Sequence, residues 1–253
     1  MSAFNARYKI YPDGTLAQIM ISSGDCFKDA ACGAAERPPR IPSLMRKLAE
    51  AEGASASTGD AWEREKEENA RRGRSRARNR IFDLCQCNAF DLFVTLTVAP
   101  EKCNRYDYAA ILRTLNRWLD NRVRRKGLRY VVVPELHKDG AVHFHGLLND
   151  VLPLVDSGHK DRQGHVVYNL PDWPLGFTTA IRLYGERGAV SRYVTKYISK
   201  TEEKIGGRWY LHGGELQEPV FTYGTVDYDS FAAPGMFEYI PEKGYAFKIV
   251  NLV

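Results

Sequence analysis

The chain has 253 residues, 44% of them hydrophobic and 26% charged, with a net charge of +5. This is the make-up of a globular protein with a real core, in one large domain or one domain with an arm, and its mild basicity is weak evidence by itself for a polyanionic partner. No run approaches the roughly 20 apolar residues that span a bilayer, no secretion signal opens the chain, and five cysteines without C-x-x-C spacing argue against a disulfide framework or structural zinc. The expectation is a cytoplasmic protein with reduced thiols and no membrane partner.

Residues 7–22 alternate around Pro12-Asp13-Gly14, a turn between two strand-like runs. From Ser23 to about Asp60 the composition shifts to Ala, Gly, Ser and Pro, so residues 1–60 read as an N-terminal arm and 61–253 as the main domain. Residues 61–87 have helical propensity interrupted at Gly73. The first half of this segment is acidic, and the second carries Arg71, Arg72, Arg74, Arg76, Arg78 and Arg80. Glutamates early and arginines late complement a helix dipole, but six arginines in ten residues cover more surface than that requires. They predict contacts with a phosphate backbone, with a merely solvated face as the alternative.

Phe90–Val98 reads as a buried strand. A helix is expected from about Tyr106 to Lys126, with Ile111, Leu112, Leu115, Leu119 and Val123 on its apolar stripe and Gly127 as its stop. Strands follow at 128–136 and 142–148, joined through Lys138-Asp139-Gly140. After a polar loop come a strand at 176–183 and a helix at about 187–201; the last fifty residues hold short strand-like pieces. This order describes an α+β fold with a mainly antiparallel sheet flanked by helices.

The hairpin carries the first chemical signal. His143 and His145 leave one face of their strand, and Glu135 and His137 are likewise two apart on the preceding one. If the loop between them has an odd number of residues (139–141 or 138–142), His145 lies opposite Glu135 and His143 opposite His137, and all four share a face. A two-residue Asp139-Gly140 turn would remove Glu135 from it. A lone histidine on an apolar strand is ordinarily a hydrogen-bonded core residue. Three histidines and a glutamate within eleven residues point instead to a divalent cation with open positions, and so to the odd loop. His137 is a fourth ligand, a residue that orients another, or one that faces solvent.

The second signal is Tyr193-Val194-Thr195-Lys196-Tyr197-Ile198-Ser199-Lys200. At helical spacing Tyr193 and Tyr197 project together, and Lys196 and Lys200 share a neighbouring flank. An isolated tyrosine pair usually packs at the edge of a core. As nucleophiles, phenols with a pKa of about 10 need nearby positive charge, which lysines and a phosphate-polarising cation supply. In-line attack on phosphorus then yields a 5′-phosphotyrosyl link and a free 3′-hydroxyl, and a second tyrosine allows a second transfer. In the stretch Gly206–Gly214, the residues Arg208, Trp209 and Tyr210 either contact extruded bases or form a glycine-bounded edge strand.

Together His143-Phe144-His145, the strand Phe93-Val94-Thr95-Leu96-Thr97 and the paired Tyr-Lys motif resemble the three motifs of the HUH endonuclease superfamily, which occur here in the family's order. They are most similar to the two-tyrosine rolling-circle replication initiators of phages and plasmids, over roughly residues 75–215. The resemblance implies a five-stranded antiparallel (ferredoxin- or RRM-like) sheet with the histidines on a central strand. It also implies Mg²⁺ or Mn²⁺ on His143, His145 and Glu135, and nicking of single-stranded DNA at an origin hairpin in a bacterial host. No phosphate-binding loop of a fused helicase is found, so unwinding falls to a host helicase and the host replication machinery. A transposase or relaxase of a mobile element, and a non-catalytic origin-binding protein, are the competing readings.

Overall fold

A computed structural model describes residues 3–28, 57–184, 204–241 and 244–253. The fold is α+β, and its contacts divide the chain into Met1–Asn69 with Pro219–Val253, and Ala70–Glu218. No helix among the described residues is long and apolar enough to cross a membrane.

In the first unit the two runs around Pro12-Asp13-Gly14 are strands. The short β1 (Ala3–Phe4) precedes β2 (Ala6–Ile10) and β3 (Leu16–Ser22), and β4 (Phe27–Lys28) returns to pair with β1. Gly14 takes the turn at φ 86°, and the Thr15 amide donates to Asp13 Oδ1 at 3.0 Å. These strands do not form an arm of their own. β2 and β3 join three strands from the far end of the chain, β12 (Val220–Gly224), β13 (Phe237–Tyr239) and β14 (Phe247–Asn251), in one antiparallel sheet ordered β12-β2-β3-β14-β13. Propensity is local and such pairing is not, so residues 1–60 look self-contained when read as sequence.

The second unit is built on a seven-stranded antiparallel sheet ordered β11-β6-β7-β5-β10-β9-β8. Its strands are β5 (Leu92–Thr97), β6 (Tyr130–Leu136), β7 (Val142–Leu148), β8 (Val155–Lys160), β9 (Val166–Asn169), β10 (Thr178–Arg182) and β11 (Leu211–Gly213). The expected five strands are exceeded at the edges. The hairpin of β8 and β9 occupies what reads as a polar loop, because its side chains are too exposed to alternate between apolar and polar.

Two helices flank this sheet. The longer, α1 (Ser57–Cys87), runs through Gly73 without a break; α2 is Tyr108–Lys126. Asp107 caps α2 by accepting from the Ala110 amide, and Gly127 closes it at φ 66° with its N–H on the carbonyls of Arg122 and Val123. Ile111, Leu115, Trp118 and Leu119 of α2 bury against Leu96, Phe144 and Leu148 on one face of the sheet. On the opposite face Ala77, Ile81, Leu84 and Cys85 of α1 meet Phe93, Val131, Val133 and Leu147. β7 is thereby held centrally, between β5 and β6 and between two apolar layers.

Candidate metal centre on the central hairpin

The hairpin of β6 and β7 turns through a three-residue loop. The His137 amide donates to the Ala141 carbonyl at 2.9 Å, the Gly140 amide donates back to the His137 carbonyl at 2.9 Å, and Gly140 takes φ 83°. Asp139 Oδ1 fixes the turn by accepting from the Ala141 amide at 3.0 Å. The loop is odd, as the shared face requires, but the register differs by two residues from the expected one. Glu135 stands opposite His143, and Val133 opposite His145. A shift of two preserves side-chain parity, so Glu135, His137, His143 and His145 still leave the same side, the side that carries α1.

On that side the four groups meet. Glu135 Oε2 lies 2.7 Å from His145 Nε2, and the rings of His137 and His143 have their centroids 3.6 Å apart. Of the three readings of His137, the structure selects a position against His143. His145 is buried, stacked at 6.0 Å on Phe93, and its Nδ1 lies 3.1 Å from Thr95 Oγ1. With an ionised Glu135 accepting at Nε2, the proton sits there and the Thr95 hydroxyl donates to Nδ1; the hydroxyl can also accept, so it suits either tautomer. Burial, then the charges of His137, His145 and Arg105, push the His143 pKa down to about 4. His143 is therefore a neutral imidazole with a lone pair to offer at neutral pH.

Two imidazole nitrogens and a carboxylate on one face are a donor set for a divalent cation. Among the described residues, no three His, Cys, Asp or Glu side chains are gathered at ion-holding spacing as they stand, because Glu135 and His145 bond each other directly. The donor chemistry fits, and it is the proton-sharing pair that would have to open for an ion.

Two residues of this site are not singled out by sequence. Thr95 belongs to a recognisable strand motif, but its role appears only when β5 pairs with β7 and sets it opposite His145. Arg105, on the loop before α2, pairs with Asp139 at 2.7 Å and adds positive charge beside His143.

The expected DNA-contacting residues fall into two groups. Arg71, Arg72, Arg76 and Arg78 are exposed on α1. Arg74 instead lies over the Trp209 ring at 5.7 Å, and Arg80 pairs with Glu218 and sits beside Tyr210. Trp209 is buried in the α1 core, and a methyl group on Gly73 would reach its Nε1 at 3.0 Å. Gly73 is thus a notch for an indole within a continuous helix. Arg208, Trp209 and Tyr210 line an open concavity of about 360 Å³ with Lys204 and His212, in which Tyr210 and His212 stack at 5.5 Å. Tyr193, Lys196, Tyr197 and Lys200 lie outside the described residues.

No curated protein and no solved structure matches the chain. Residues 91–202, a stretch that holds β5, α2, the hairpin and the Tyr-Lys motif, match the family model of the replication-associated protein ORF2 type, which supports a part in the initiation of replication.

Proposed function

We propose that this chain initiates rolling-circle replication by nicking one DNA strand at an origin hairpin and remaining joined to the cut end. The observation that carries the reading is the meeting of three histidines and a carboxylate at the open end of a central hairpin. His143, His145 and Glu135 would hold Mn²⁺ or Mg²⁺, with His137 as a further donor, and the two imidazoles favour Mn²⁺ of the pair. The ion, when bound, polarises the scissile phosphate.

The chain's own residues do the rest. Thr95 keeps the His145 ring in place from behind. Tyr193 or Tyr197 gives up its phenolic proton, its oxygen bonds to phosphorus, and the bond to the 3′-oxygen breaks, leaving a hydroxyl there. Lys196 and Lys200 stabilise the charge that develops. Exposed Arg71, Arg72, Arg76 and Arg78 hold the strand's phosphates, and a host helicase opens the duplex.

The test is a labelled single-stranded oligonucleotide incubated with the protein and Mn²⁺, with EDTA as control. Cleavage in Mn²⁺ alone, with an adduct that survives denaturation and maps by mass spectrometry to Tyr193 or Tyr197, is the expected result. A band that shifts but stays uncut with every divalent ion would overturn the nicking reading and leave a DNA-binding protein.

A further inference from the structure

The five-stranded sheet of the first unit has two unlike faces. On one, Ala6, Ile21 and Val250 are buried, and Lys248 reaches from it to the carbonyls of Tyr228 and Phe231. The register fixes what the other presents. One row across the sheet reads Tyr223, Arg7, Met20, Ile249, Phe237; the next reads Phe221, Lys9, Gln18, Asn251; a third contains Phe247 and Tyr239. The five strands hold a single acidic residue, Glu238, and it sits on the opposite face, where it accepts from the Tyr228 hydroxyl.

This face therefore combines aromatic rings with cations and carries no strand carboxylate. The Arg7 guanidinium lies over two rings, Phe27 at 5.3 Å and Phe221 at 5.1 Å. Phe27 also contacts Tyr223 and Phe247, each with centroids 6.5 Å away. At the two edges the rings open to solvent: Phe221 is 41% exposed, Phe237 49% and Tyr239 55%.

We infer that this face is a second binding surface for single-stranded DNA, outside the stretch that matches the replication-associated family. Every base has a flat π-face to stack on an aromatic ring, and arginine over a ring adds a cation for the backbone. A face lacking carboxylates but carrying Arg7 and Lys9 complements a polyanion, whereas an aliphatic patch would complement another protein. From β12 to β13 the sheet is about 19 Å across at the usual strand spacing, room for about four nucleotides. The inference shares its ligand with the proposed function but uses none of the residues of the metal site.

Fluorescence-anisotropy titration of the full chain with labelled oligothymidylate in EDTA, where no cleavage occurs, tests it. Phe221→Leu, Phe237→Leu and Tyr239→Leu keep an apolar group at exposed positions and remove the ring. Each is expected to weaken binding about tenfold, while Tyr239→Phe binds as the parent does. Photocross-linking of 5-iodouracil DNA should label peptides from 219–253. Leucine variants that bind normally, or cross-links confined to 70–218, would overturn the inference. So would a concentration-dependent dimer lost on Phe237→Ala with DNA affinity unchanged, which would make the face a contact between copies. Nicking by the same variants on a saturating substrate reads the hairpin site separately, so either reading can fail alone.

Discussion

Alternate residues of β7 do different work. Towards α2 the strand turns Phe144 and Leu148, both fully buried in an aliphatic and aromatic layer. Towards α1 its far end does the same, with Leu147 against Ile81 and Leu84, but His145 and His143 take over where that layer ends. The first face is continuous apolar packing and the second is apolar for only part of its length. A strand anchored by one closed face can carry polar donors at the free end of the other, because each donor there has a partner. The β5 and β6 neighbours supply those partners, Thr95 and Glu135.

On this division, changes on the two faces separate activity from stability. The largest effect is expected from His143→Ala and His145→Ala, each losing nicking by on the order of a thousandfold. Their urea midpoints should stay near that of the parent protein; activity surviving in both variants would remove them from the site. Phe144→Ala, between them in sequence but on the α2 side, should cost about 3–5 kcal/mol in the same denaturation experiment. A loss of stability in the histidine variants as large as this one would erase the distinction between faces. The smallest effect is expected from Thr95→Val, which keeps the shape and removes the hydroxyl behind His145. Mn²⁺ affinity by titration calorimetry should fall about 10- to 100-fold with stability little changed, and unchanged affinity would show that the ring needs no such support.

Legibility in the sequence follows distance along the chain. α2 is readable end to end, since its stripe, its glycine stop and its apolar spacing are all local. The central hairpin is readable as a pair of strands, and the parity of its loop follows from the chemistry proposed for it. Its alignment is not, because the choice between closing pairs depends on Asp139 and Gly140 making a particular three-residue turn. The β8–β9 hairpin leaves no alternation to detect. Trp209 looks like a surface aromatic because glycines flank it in sequence, while the notch that receives it is Gly73, far away in the chain. The pairing of β2 with β12 joins Ala6 to Gly224, a contact no local pattern announces.

Gly146 follows His145 directly and stands between Val132 of β6 and Val94 of β5. A methyl group there would come within 2.8 Å of Val132 Cγ2 and 3.0 Å of the Val131 carbonyl oxygen, neither of which can swing aside. Relief would require β6 and β7 to spread, and those two strands carry Glu135 and the His143–His145 pair respectively. In a saturation library of this hairpin, position 146 should accept no other letter, and its failures should register as lost function before lost solubility. A polar cluster on one side of the ribbon is kept closed by bare backbone on its oily side.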